Sequence, residues 1–165
     1  MKEYKGLIFD EMKEEDIGEL TRIMERAFNE DTRLHLNEPK GGPEGYDNGE
    51  FLRRYGLDPR SEAYKISAEG RLIGGLILWI NKETNINHLG NVFVDMDRQN
   101  KGTGKSIWDF VEQEYPETVK WCTDTPAFSR RNHNFYVNKC GFHVVGIENP
   151  QNLREGSYSL EKVMR

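Results

Sequence analysis

Asn91-Val92-Phe93-Val94-Asp95-Met96-Asp97-Arg98-Gln99-Asn100-Lys101-Gly102-Thr103-Gly104-Lys105-Ser106-Ile107-Trp108 is the stretch from which the fold is read. Val92, Phe93 and Val94 are β-branched or aromatic and suit a buried strand. Asp95 and Asp97 stop it. Gly102 and Gly104 let the backbone approach a neighbour and turn its N–H groups outward. From Thr103 the apolar spacing becomes helical, with Ile107, Trp108, Val111 and Tyr115 on one stripe. A strand that feeds glycines into a helix start forms an anion site. The first-turn N–H groups there have no partners, and the helix dipole is positive. A phosphate on a cofactor is the expected anion.

Three readings of this loop stand side by side. It can be a plain strand-to-helix connection whose glycines relieve sterics. It can be a nucleotide P-loop, because Gly102-Thr103-Gly104-Lys105-Ser106 ends as that motif does, although Gln99 occupies the position of the motif's first glycine. It can be a coenzyme A pyrophosphate loop of the form Gln/Arg-x-x-Gly-x-Gly/Ala, which Gln99 to Gly104 satisfy at every fixed position.

The chain has 165 residues, enough for one domain, 1–165, with one sizeable core. A formal charge of −5 argues against nucleic acid as the main partner and is compatible with a cationic amine. Cys122 and Cys140 sit among apolar residues, and two thiols in this length suggest a reducing, cytoplasmic setting. The opening Met1-Lys2-Glu3-Tyr4-Lys5 is charged and unlike a signal peptide. The apolar run Leu76 to Ile80 is too short to span a bilayer, so no membrane partner is expected. His133 and His143 lack metal-ligand spacing, so no metal is expected.

The remaining elements follow in order. Leu7 to Phe9 reads as a strand and Glu14 to Asn29 as an amphipathic helix. Asp31 to Arg60 is breaker-rich over Lys40 to Gly49, with a short helical turn expected over Glu50 to Tyr55. The segment reads as a substrate-side loop, with His35, Glu44, Tyr46 and Asp47 as candidate contacts, or as a mobile loop without a role. Ala63 to Ser67 and Leu72 to Ile80 read as strands joined by Glu69-Gly70. His88 to Val94 is the central strand, and strict alternation puts His88, Val92 and Val94 on one face. Thr118 to Thr123 is a further strand that Thr125-Pro126 breaks. Ser129 caps a helix over 130–139, which Gly141 ends. Phe142 to Ile147 and Tyr158 to Val163 are the last strands. The order predicts a mixed α/β sheet with helices on both faces.

A second constellation lies on the later helix: Asn132, Phe135, Tyr136, Lys139, Gly141 and Phe142. With the glycine loop one strand earlier, it resembles motifs A and B of the GNAT acetyltransferase superfamily. The resemblance covers the chain at the level of element order and is strongest from His88 to Phe142.

The resemblance implies a GNAT-like acyl-CoA N-acyltransferase fold, a mostly antiparallel mixed sheet of about six or seven strands with about four helices. It implies an acyltransferase that moves the acetyl group of acetyl-CoA onto a primary amine of a small molecule or a protein. Cofactor contacts then fall to Phe93, Val94, Met96, Gln99, Asn100, Lys101, Gly102, Thr103, Gly104, Lys105, Ser106 and Asn132. The main chain of Phe93, Val94 and Met96 would hold the pantetheine arm, and the Val94 N–H would polarise the acetyl carbonyl. Tyr136 matches the family's general acid. His88 lies eleven residues before Gln99, where some members carry a basic Glu. Histidine as a residue type suits a general base, and Asp95 is a weaker candidate. Members commonly carry Asn seven residues before the tyrosine, where this chain has Ser129. A non-catalytic acyl-CoA-binding module of the same fold and a P-loop nucleotide-binding protein are the alternatives. Edge strands near the C-terminus could pair two copies into a homodimer.

Overall fold

A computed structural model describes residues 1–164. Strands β1 (Lys2–Tyr4) and β2 (Leu7–Glu11) meet at Lys5-Gly6, and β3 (Ser61–Ala68) and β4 (Arg71–Trp79) meet at Glu69-Gly70. Both residues of each turn have positive φ, which matches the twist of the strands they join. The second hairpin follows from the sequence. β1 was not anticipated, because Lys2 and Glu3 carry no apolar signal.

Helix α1 (Ile17–Leu36) lies between the hairpins and is seven residues longer than the expected end at Asn29. Asp31 and Thr32, which read as the start of a loop, are buried helical residues. The helix ends on Asn37 in the left-handed conformation. The irregular segment after it is tied back to α1. Asn29 Oδ1 accepts from the Tyr46 hydroxyl at 2.7 Å and the Gly41 N–H at 3.1 Å, and the Thr32 hydroxyl donates to the Gly41 carbonyl at 2.9 Å. A π-helical turn, Leu52–Gly56, leads into β3.

The second half runs β5 (Ile86–Val94), α2 (Thr103–Glu114), β6 (Lys120–Pro126), α3 (Arg130–His133), β7 (His143–Glu148) and β8 (Ser157–Val163). From α3 the chain continues as a π-helical run, Asn134–Lys139. The eight strands among the described residues form one sheet in the order β1-β2-β3-β4-β5-β6-β8-β7, a strand or two more than expected. Every neighbouring pair is antiparallel except β5 and β6, which α2 connects by a crossover. Pro126 does not break β6. It ends the strand opposite Ser157, where the missing N–H interrupts no further ladder.

The sheet separates two apolar layers. On one face α1 packs Ile17, Leu20, Ile23 and Met24 against Ile77 and Phe93. On the other, α2 and the π-helical run pack Trp108, Phe110, Val111 and Tyr136 against Phe9, Leu76, Leu89 and Trp121. Phe9 stacks on Phe110 with ring centroids 3.7 Å apart, which ties the N-terminal hairpin to the glycine-loop helix.

Strict alternation fails in β5. Leu78 pairs with Leu89 and Ile77 with Asn91, which leaves Gly90 as a bulge. A Cβ at Gly90 would lie 2.6 Å from Trp79 Nε1, so the tight bulge needs glycine. One extra residue reverses the facing of what precedes it. Leu89 therefore joins Val92 and Val94 in the α2-side layer, and His88 shares the opposite face with Asn91 and Phe93.

Phe9 is fully buried at the junction of β2 and α2. Phe9→Ala should lower unfolding stability by about 3–5 kcal/mol, measured by urea denaturation with an unchanged m-value.

Candidate active site

The site opens where β5 and β6 part. Their parallel pairing runs only from Ile86 opposite Lys120 to His88 opposite Cys122. The Thr123 hydroxyl donates to the Leu89 carbonyl at 2.9 Å and closes the vertex. Beyond it the inner edge of β5 is open. The Asp95 N–H donates to Ile73 O on β4 at 2.7 Å, so alternation turns the N–H and C=O of Val94 and Val92 to the open edge. The Val94 carbonyl there accepts from Gln99 Nε2 at 2.9 Å. The Phe93 carbonyl instead packs over Gly74 toward β4. Phe93 contributes to the cleft wall, but its main chain belongs to the sheet.

The glycine loop forms one end of the cleft. Asn100 and Gly102 both have positive φ, and the first helical hydrogen bond of α2 runs from the Ser106 N–H to the Gly102 carbonyl at 3.0 Å. The N–H groups of Thr103, Gly104 and Lys105 thus precede any intrahelical acceptor. Gln99, Asn100, Gly102, Gly104 and Lys105 line the cleft. Lys101 and Met96 are exposed outside the lining, and Thr103 and Ser106 lie behind it on the helix. Lys105 hydrogen-bonds Asp109, which raises its pKa and keeps the ammonium charged. A Cβ on Gly104 would lie 3.0 Å from the Phe135 ring, so glycine here lets the second motif pack onto the first.

The opposite wall comes from α3 and the π-helical run. Tyr136 is buried at the cleft, its phenol pushed well above its usual range by burial, against which a hydrogen bond with Thr123 acts. The Ser129 hydroxyl caps the helix by accepting from the Asn132 N–H at 3.4 Å. Asn132 also lines the cleft, with Nδ2 donating to Thr125 Oγ1 at 3.3 Å. Asn134 reaches the rim too, although an ordinary helix would turn it away. The wider π-helical turn begins at this residue.

His88 is not among the lining residues. It sits half exposed at the last paired position before the vertex, with Nε2 3.8 Å from Asp124 Oδ2. Asp95 is only 4% exposed, held by Arg26 Nη2 at 2.9 Å and by Arg71 at 3.6 Å. Both cations are engaged with its carboxylate, and it clamps the loop to α1 and β4 rather than facing the cleft. Tyr46 is core: it is buried against Phe28 and Asn29. Glu44 and Asp47 are exposed on the segment after α1.

Among the cleft residues that the sequence did not single out, Asp31 and Arg131 form a polar bridge. Arg131 Nη1 donates to Gln99 Oε1 at 2.7 Å, and Arg131 Nη2 reaches Asp31 Oδ1 at 3.4 Å. Asp31 is buried and also accepts from the Ser129 hydroxyl at 2.9 Å. His35 lies beside it, Nε2 to Oδ1 3.4 Å, with its pKa lowered by burial. One hundred residues separate Asp31 from Arg131, and no local pattern marks the pair.

A sequence profile of the acetyltransferase (GNAT) family matches residues 20–142. The chain belongs to the GNAT acetyltransferase family. A Bacillus subtilis relative, the uncharacterized protein YrkN, is 36% identical over 143 residues, which cover 87% of this chain and 76% of that one. Among solved structures, the PaiA N-acetyltransferase of Thermoplasma acidophilum in complex with coenzyme A superposes with a TM-score of 0.75 at 15% identity, covering 95% of this chain and 98% of that one. The spermidine N-acetyltransferase of Vibrio cholerae in complex with coenzyme A and spermine superposes with a TM-score of 0.67 at 14% identity, covering 96% and 95%.

In this GNAT protein the two motifs face each other across the parted strands, and family membership sets the P-loop reading of the glycine loop aside. No helix among the described residues is long and apolar enough to cross a membrane.

Cys140 ends the π-helical run, and burial pushes its thiol up to about 12. Cys122 is also raised, chiefly by burial. A raised pKa leaves little thiolate at pH 8, so both thiols should react slowly with Ellman's reagent in the folded protein and rapidly in urea. Rapid release of two thiols from the native protein would contradict this burial.

Proposed function

We propose that this protein is an N-acetyltransferase that transfers the acetyl group of acetyl-CoA to a primary amine of a small molecule or a protein. One observation carries the proposal: the outward main chain of Val94, the glycine-loop cradle and the Tyr136 phenol converge on one cleft. The site fits the cofactor. Positive φ at Asn100 and Gly102 and unpaired first-turn N–H groups suit a diphosphate, and an open strand edge suits the amide-bearing arm. Acetyl-CoA supplies an acyl group on a thioester, with a thiol as leaving group.

The residues divide the work as follows. Gln99, Asn100, Gly102, Gly104 and Lys105 hold the phosphates, with Lys101, Thr103 and Ser106 supporting from the loop and helix. Asn132 and the main-chain edge of β5 hold the arm. The Val94 N–H donates to the acyl oxygen, where charge develops. Tyr136, kept protonated by burial, gives its proton to the departing sulfur. His88 takes the proton that the amine must lose, directly or through water. The structure corrects its expected face, and the bulge leaves it at the vertex with the Asp124 carboxylate within reach. Among structurally similar proteins, one is a spermidine N-acetyltransferase and another is the Escherichia coli ribosomal-protein-S18-alanine N-acetyltransferase. Together they support an amine acceptor of either kind.

The direct test is release of free coenzyme A across a library of polyamines, aminoglycosides, amino acids and peptide N-termini. Tight acetyl-CoA binding with no acetylation of any amine would make the protein a binding module instead. Tyr136→Phe should cut turnover by more than about tenfold with acetyl-CoA binding nearly intact; unchanged turnover would remove the acid role. Because burial raises the phenol above its ordinary value of about 10, activity should not decline on the alkaline side up to that pH through loss of this proton. His88→Gln should lose activity at pH 7 and regain part of it at higher pH, where more of the amine is already neutral. A flat pH profile in the unaltered enzyme would count against His88 as base.

A further inference from the structure

Four cationic side chains, Arg98, Lys105, Arg131 and Lys139, line the cleft. Lys105 is held by Asp109, Arg98 leans toward Glu69 at 3.8 Å, and Lys139 is exposed on the rim. Arg131 differs in kind. Its guanidinium spans the cleft between Gln99, which opens the glycine loop, and the buried Asp31 on α1. The two contacts are unequal: 2.7 Å to the Gln99 amide oxygen and 3.4 Å to the Asp31 carboxylate.

We propose that Arg131 is a hand-over residue: it bridges to Asp31 in the free protein and leaves that carboxylate for the diphosphate of the coenzyme, pivoting on Gln99. The inference rests on the reading that this cleft takes acetyl-CoA. Three features support it. A diphosphate carries two negative charges and accepts a planar guanidinium through two parallel hydrogen bonds, so it outcompetes one loosely held carboxylate oxygen. The guanidinium already contacts the first residue of the loop that would cradle the phosphates, so only a short swing is required. Asp31 is also not abandoned when the arginine departs. The Ser129 hydroxyl still donates to it at 2.9 Å, and His35 lies 3.4 Å away with both ring nitrogens buried and lacking a hydrogen-bond partner. A buried carboxylate that lost its cation would oppose the exchange, and the adjacent imidazole, with an unpartnered ring nitrogen able to donate an N–H, lessens that cost.

The chemistry predicts a split between ligands with and without the diphosphate. Calorimetric titration with coenzyme A and dephospho-coenzyme A, and competition by pantetheine, would be compared for the unaltered chain, R131Q, R131K and D31N. R131Q should weaken both phosphorylated ligands by about tenfold or more and leave pantetheine within about twofold. R131K, which keeps the charge without the planar fork, should fall between. D31N should tighten coenzyme A, because the competing anion is gone. Equal weakening of pantetheine by R131Q and R131K would make Arg131 a strut between α1 and α3 and overturn the assignment. So would a loss with coenzyme A that disappears with dephospho-coenzyme A, or weaker coenzyme A binding by D31N. If the unaltered chain binds no coenzyme A, the reading of the cleft itself fails and this inference goes with it.

Discussion

The structure depends on an interruption in hydrogen bonding. Two parallel strands pair over three residues each and then separate, leaving the main chain of one of them without a strand partner on that side. Backbone N–H and C=O groups inside a protein must be satisfied somehow, and an unpaired edge inside a sheet is a template for whatever can supply the missing ladder. The Gly90 bulge and the Thr123 bond to Leu89 sit where that gap begins, and the glycine loop lines its other end. The chemistry proposed for the protein requires no unusual side chain. It requires a strand edge that water and ligand can reach while the surrounding sheet stays closed.

Around the gap, polar residues do what apolar packing cannot. Asp95 draws Arg26 from α1 and Arg71 from β4 onto the turn that precedes the glycine loop. Asp31, Ser129, Arg131 and Gln99 join α1, α3 and the loop across the cleft. An apolar cluster filling the same space would block the ligand path. Directional polar contacts can span the opening and exchange partners. Their buried carboxylates are stabilised because each is met by donors from a different element.

The long segment after α1, read from sequence as a substrate-side loop or a mobile one, is anchored to the helix. Asn29 and Thr32 gather its main chain, and Tyr46 closes over Phe28. Irregular backbone and mobility are separate properties. A loop without repeating hydrogen bonds can still be held by a few side chains that satisfy it.

Much of this molecule was legible in the residues. Period-2 and period-3.6 patterns located the central strands and both main helices, because they record which side of each element meets the core. The glycine loop and the Phe135-Tyr136 motif were legible because close backbone approach and a buried phenol demand particular residue types. The strand β1 was not, since a short charged edge strand buries too little to leave a pattern. Nor was the facing of His88, because a single bulge residue reverses the alternation on which the inference rested. The extension of α1 through Asp31 and the approach of Arg131 to it were equally hidden, as was the turn of Asn134 toward the cleft. By itself, then, the sequence determined the central elements, the motifs and the family, since these follow from local spacing along the chain. Only the tertiary structure decided which polar groups face one another across the parted strands. That choice depends on bulges, π-helical turns and contacts a hundred residues apart, which local spacing does not encode.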